Sequence, residues 1–200
     1  MAVSFYNLLK HHGMTFSDIL QQQYKLSSDS IHLLLKDAIT ISFNKKEPIV
    51  QEGQRNDYIY FVEKGSIRGF IEREGKEFTL LFAFEGDMTA TMPDLLQTPT
   101  AKFTLETLEF STLVKISRSH LEYLFLHSLE LANWGRKLME KTIQEYEHYF
   151  IEYYWADKGH QYQMLIKEFP QLLQRVSLKE IASYLNITPQ SLSRIRAHLK

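Results

Sequence analysis

The chain has 200 residues, 44% of them hydrophobic, and a formal net charge of −1, enough to bury a core and, at roughly 150 residues per domain, to form one large or two small domains. It contains no cysteine, which excludes disulfides, thiolate zinc sites and cysteine-ligated iron–sulfur clusters. The opening residues hold no basic segment followed by an apolar core, and nowhere do 18 apolar residues run together, so a soluble, unexported, cytoplasmic protein is expected.

The first 38 or so residues carry helical spacing, with Phe16, Ile19 and Leu20, then Ile31, Leu34 and Leu35 after a cap in Ser27-Ser28-Asp29, and predict helical covering elements. Between Ala38 and Ile116 short β-rich runs alternate with turns, and Gly53, Gly65, Gly75 and Gly86 follow one another at separations of 12, 10 and 11 residues. That rhythm predicts a small all-β sandwich or barrel.

From about Ser117 helical periodicity returns. Ala132, Met139, Ile143, Tyr146, Phe150 and Tyr153 form a coiled-coil-like seam about three heptads long, interrupted by Arg136, and a seam needs a partner, either the β-domain or a second copy of the helix. The stretch Trp155 to Gly159 reads as a break, with Gly159 a hinge or cap, and a helix over about Gln161 to Phe169 precedes Pro170.

The last stretch reads as two short helices joined by a tight turn. Ser177 and Glu180 make a capping box, Ile181 and Leu185 share a face, Asn186 suits a left-handed turn, and Thr188 caps a second helix that starts with Pro189. Leu192, Ile195 and Leu199 would anchor that helix and turn Gln190, Ser193, Arg194 and Ala197 outward. From Arg175 to Lys200 the cations Arg175, Lys179, Arg194, Arg196 and Lys200 oppose Glu180 alone, a net +4 that leaves −5 on the rest. Such an excess is ordinary for a surface, but on a capped helix pair it suits a polyanion. Arg bonds guanine O6 and N7, Gln bonds adenine N6 and N7, and Thr188 and Ser191 at a helix N-terminus suit a phosphate. Arg196 and Lys200 suit phosphate contacts.

The phrases N-D-Y-I-Y-F-V-E-K-G-S-I-R-G-F-I at 56–71, G-K-E-F-T-L-L-F-A-F-E-G-D at 75–87 and I-A-S-Y-L-N-I-T-P-Q-S-L-S-R-I-R at 181–196 resemble the cyclic-AMP receptor protein and fumarate–nitrate regulator (Crp/Fnr) superfamily of transcription regulators. The resemblance spans essentially residues 30 to 200 and is closest to the branch common in Bacteroidetes. It implies an α+β chain. A cyclic-nucleotide-binding-like β-roll, or jelly roll, with flanking helices would occupy 1–127, a long dimerisation helix 128–155, and a helix-turn-helix (winged-helix-like) DNA-binding domain 156–200. The implied partners are double-stranded DNA with a pseudo-palindromic operator, a second copy of the chain and RNA polymerase. Gln190 and Arg194 fall at base-reading places of the family's recognition helix. Pro189 stands where the best-known members put an arginine, so their operator does not carry over, and the sequence stops just after the recognition helix, where some relatives continue into strands.

The sensing cassette departs from the family. Members that bind cyclic nucleotides have a Gly-Glu pair and an Arg-Ser/Thr-Ala triplet, the Glu holding the ribose hydroxyl and the Arg the cyclic phosphate. Here Ala90 and Thr91 replace the pair, and Thr100, Ala101 and Lys102 fall around the triplet. Losing two charge-assisted contacts, on the order of 1.5–3 kcal/mol each, makes cyclic AMP a poor ligand. An unknown small-molecule effector, or none, is expected, with Thr89, Thr91, Lys102 and Tyr146 the candidate contacts.

The aromatic run from Tyr146 to Trp155 lines a ligand pocket or forms an interface core. The histidines, among them His11, His12 and His148, show no ligand spacing, so no metal or cofactor is expected. No nucleophile elbow, Walker loop or acid–base pair is present, so no enzyme is expected. A regulator is the favoured reading. The alternative is a ligand-binding or sensor module whose terminal helices contact protein, separable by DNA binding that falls steeply with salt and depends on Arg194.

Overall fold

The computed structural model describes residues 15–91 and 100–199. His11, His12 and Lys200 lie outside them. Two helices, α1 (Phe16–Gln22) and α2 (Ser28–Leu35), precede eight strands: β1 (Ile39–Phe43), β2 (Pro48–Val50), β3 (Tyr58–Lys64), β4 (Ile67–Arg73), β5 (Lys76–Ala83), β6 (Met88–Thr89), β7 (Thr104–Thr107) and β8 (Ser111–Ser117). Six helices follow: α3 (Arg118–His127), α4 (Leu129–Trp155), α5 (Lys158–Glu168), α6 (Leu172–Arg175), α7 (Leu178–Tyr184) and α8 (Pro189–His198).

Two four-stranded antiparallel sheets, ordered β1-β8-β3-β6 and β2-β7-β4-β5, face each other as a β-roll. All four turn glycines have positive φ. At Gly65 no other residue fits, because a Cβ would lie 2.2 Å from Ser111 Oγ. Tyr60, Val62, Ile67, Leu81, Leu105 and Leu113 pack between the sheets, whereas Phe61, Val114 and Ile116 point outward beneath α1, α2, α3 and α4. With both faces of β3 covered, its sequence Y-I-Y-F-V is a continuous apolar run with no alternation.

The helices begin where the caps stand. Ser27 caps α2 and also bonds Glu130, which accepts from the Ser27 N–H (2.7 Å) and from the Ser30 hydroxyl (2.5 Å), tying α2 to the first turn of α4. Leu131, Trp134 and Leu138 seat the N-terminal half of α4 on the β-roll. The helix ends at Trp155, and Asp157, not Gly159, makes the break: its Oδ1 accepts from the His160 N–H at 2.8 Å and caps α5, which holds Gly159 in its first turn.

Candidate nucleic-acid interface and its attachment to the β-roll

Ser177 and Glu180 form a reciprocal capping box: the Glu180 N–H bonds Ser177 Oγ (3.3 Å), and Glu180 Oε2 accepts from the Ser177 N–H (3.0 Å). Asn186 takes φ +52° in the turn, and the Ile187 N–H closes α7 on the Ala182 carbonyl at 3.0 Å. Thr188 Oγ1 then caps α8 through the Ser191 N–H (3.1 Å), with Pro189 in the first turn.

Leu192 is fully buried against Ile181, Ala182 and Leu185, and half-buried Ile195 packs on the same cluster. Leu199, read from spacing as a third anchor, is 43% exposed and is not one; it follows the last turn of α8 as its C-cap, past the buried face. Thr188, Gln190, Ser193 and Arg194 are exposed, and Ser191 and Arg196 are half-buried. Among the described residues neither the Arg194 nor the Arg196 side chain enters an ion pair. One face of α8 thus offers an amide, hydroxyls and guanidinium groups to whatever docks there.

The opposite side of the helix pair is committed to the β-roll. Phe82, Phe84 and Leu108 of the roll share one hydrophobic cluster with Phe169, Leu172, Val176 and Leu185. The Ser183 hydroxyl donates to the Glu77 carbonyl (2.7 Å) and accepts from the Thr79 N–H (2.9 Å). Two ionic clusters flank this core. Arg175 forks onto Glu85 at 2.7 and 2.8 Å and reaches Glu109 through Nε at 2.9 Å. A chain of charges runs from Glu77 through buried Arg68 (2.8 Å), Glu106 (3.0 Å) and Lys46 (3.1 Å) to buried Glu180. The carboxyls of Glu85 and Glu180 are held below the ordinary range because Arg175 and Lys46 outweigh their burial. Arg175, counted above with the basic end, is therefore spent inside the chain and contributes nothing to an outward field.

Sequence reading missed this attachment. Its partners lie 66 to 134 positions apart, and isolated Glu and Arg residues carry no local signature.

Along α4, Met139 (46%), Ile143 (64%) and Phe150 (67%) are exposed, as is Tyr146; Ala132 and Tyr153 are half-buried. Tyr153 stacks on Tyr149, whose ring meets Tyr184 of α7 edge-on.

The candidate effector contacts differ in burial. Thr89 and Thr91 are buried, and the Thr91 hydroxyl accepts from Asn56 Nδ2 at 3.3 Å. Asn56 Oδ1 in turn accepts from the Tyr60 hydroxyl at 3.1 Å. Lys102 and Tyr146 are exposed.

A two-sheet β-roll, a long helix along its flank and a capped helix pair docked on its second sheet make up the architecture. Residues 40–128 match the family model of the cyclic nucleotide-binding domain. Among solved structures the chain is similar to FixK2 from Bradyrhizobium japonicum (19% identity, covering 81% of this chain and 84% of that one, TM-score 0.68). It is also similar to a CooA variant from Carboxydothermus hydrogenoformans (14%, 93% and 84%, TM-score 0.66). A third similar structure is a transcriptional regulator of the crp/fnr family from Eubacterium rectale (18%, 88% and 87%, TM-score 0.62). The chain has the fold of Crp/Fnr transcription regulators. A search of the curated proteins finds no match. No helix among the described residues is long and apolar enough to cross a membrane.

Proposed function

We propose that the chain is a homodimeric, DNA-binding transcription regulator whose α7–α8 pair is a helix-turn-helix. The observation that carries this reading is the division of labour in α8: Leu192 is buried against α7, while Gln190, Ser193 and Arg194 are exposed on the other side. Arg and Gln at such positions suit base edges in the major groove, and Thr188, Ser191, Arg196 and Lys200 suit phosphates. Two copies joined through the exposed α4 seam, Ala132 to Tyr153, would present two reading helices to a pseudo-palindrome with half-sites about 34 Å apart.

The alternative, that the terminal helices contact protein, draws on the docking of α7 against β5. That contact is within the chain, however, and leaves the polar face of α8 open. RNA polymerase is a further partner in this reading.

The effector is not cyclic AMP in this reading. Thr91 stands in place of the ribose carboxylate and is already bonded to Asn56, while Tyr60 extends the same polar chain between the sheets. No guanidinium takes the triplet's place: Thr100 and Ala101 are followed by exposed Lys102.

The test is to incubate the purified chain with sheared genomic DNA from its source at moderate salt and sequence what is retained. One two-fold-symmetric motif supports the proposal. Retention without any motif, at every salt concentration and with a library of small molecules present, overturns it.

A further inference from the structure

Where the C-terminal half of α4 meets α5 and α7, Tyr149 and Tyr153 of α4, Gln161, Met164 and Glu168 of α5 and Tyr184 of α7 line a cavity of about 20 Å³, room for one water molecule. The Tyr184 ring meets Tyr149 edge-on, 6.5 Å between centroids, and lies 5.4 Å from the Phe82 ring of β5. Its hydroxyl bonds that of Tyr149. Tyr184 thus bridges the long helix and the β-roll. These contacts are made within one chain, and the Tyr153 hydroxyl accepts from Lys158 Nζ of α5 at 3.1 Å, so the cavity needs no opening towards a second copy.

Glu168 sits poorly there as an anion. It is the last residue of α5, where the carbonyl end of the helix dipole disfavours negative charge. It is half-buried, and among the described residues it enters no ion pair. The titratable groups that face it are Glu145, His148 and Tyr149 of α4 and Tyr184 of α7, and burial raises its pKa against the attraction of His148. Lys158 is turned to Tyr153 and Gln161, and Lys167 beside it in sequence is exposed. Glu145 is a second carboxyl at the junction, 3.7 Å from Lys141 through Oε1, with Oε2 buried and without a hydrogen bond. Charge on either carboxyl disfavours charge on the other.

We propose that Glu168 is a proton switch at this junction: protonated, it stays in the cavity while the tyrosines hold α4, α5 and α7 together, and ionised, it draws water in and frees α5 and α7 from α4. The proton passes to and from bulk water. A carboxyl with a raised pKa keeps the junction closed in acid, and the hold declines as pH rises from the ordinary carboxylate value through the raised one. The switch operates whether or not α8 binds DNA. In the regulator reading it makes the setting of α8 relative to α4 depend on pH.

Nuclear magnetic resonance of the full chain, labelled with carbon-13 at the methionine methyls, tests this, because Met164 lines the cavity; Met164→Leu assigns its resonance. The Met164 methyl should shift with one inflection between pH 5 and pH 8, and a soluble gadolinium chelate should broaden it more at pH 8 than at pH 5. Glu168→Gln, which keeps the shape and cannot ionise, should lose the inflection and hold the acid form throughout. Glu145→Gln should lower the inflection without removing it, and His148→Gln should leave one in place. An inflection that persists in Glu168→Gln, or that vanishes in Glu145→Gln or His148→Gln, gives the proton to another group and overturns the assignment. A Met164 resonance unmoved from pH 5 to pH 8 in the parent overturns the switch whether or not the variants fold, and equal broadening at the two pH values overturns the opening.

Discussion

Arg175 Nη1 and Nη2 meet Glu85 Oε2 and Oε1 at 2.7 and 2.8 Å, a two-pronged contact between residues 90 positions apart that joins the segment before α7 and α8 to the β-roll. The same guanidinium lies over the Phe84 ring, 5.1 Å from its centroid.

Arg175→Ala should cost about 1.5–3 kcal/mol of stability, because it leaves the Glu85 carboxylate short of partners. Arg175→Lys should recover only part, since an ammonium lacks the fork. Urea unfolding monitored by circular dichroism measures both. Glu85 and Glu180 have lowered pKa values, so their contribution is complete above the ordinary carboxylate pKa and is lost as pH falls through the lowered values. Hydrogen exchange in α7 should accelerate over that acid window, before exchange in β3.

Glu145 works in the opposite sense. Burial and the nearby charge of Glu168 on α5 push its pKa up to about 7 against the attraction of Lys141 one turn away, and Tyr24 also faces it. A raised carboxyl pKa means stability that is present in acid and declines as pH rises from the ordinary value towards 7. Glu145→Gln should therefore be more stable than the parent at pH 8, by about 1–3 kcal/mol at ~1.4 kcal/mol per pKa unit, and nearly equal to it at pH 5. Denaturant midpoints at the two pH values decide this.

The reading of α8 separates two arginines. Arg194→Ala should lose roughly 1–3 kcal/mol on the selected motif and relax one base position, whereas Arg196→Ala should weaken all sequences about equally and lower the salt slope by about one. Binding measured on specific and scrambled duplexes across a salt series shows which residue does which. Equal effects on both duplexes from both changes would remove the assignment of roles.

Ile143→Glu or Phe150→Glu should halve the sedimentation mass at micromolar chain concentration with little change in the fold of each copy, because both side chains are more than 60% exposed. An unchanged mass would place the dimer interface elsewhere.

Local signals were legible in the sequence to the residue. The Ser177–Glu180 capping box, the left-handed Asn186 and the Thr188 cap are each set by short-range hydrogen bonding or φ preference, so neighbouring residues suffice to read them. The turn glycines announced a small all-β sandwich or barrel for the same reason, and the family resemblance implied the β-roll. Leu199 misled because periodicity counts positions on a helix and not the width of the surface beneath it. Gly159 misled because a nearby Asp157 offered a better cap. The attachment of α7 to β5 depends on which surfaces meet in space, and nothing in the one-dimensional pattern pairs Lys46 with Glu180.

The shared cluster of Phe82, Phe84 and Leu108 with Leu172, Val176 and Leu185 has a consequence for the chain's covalent continuity. A protease nick at the Ala156–Asp157 junction should yield two fragments that co-elute as one non-covalent complex. The peptide from Asp157 onward, made alone, would lack the surface that buries its own apolar side.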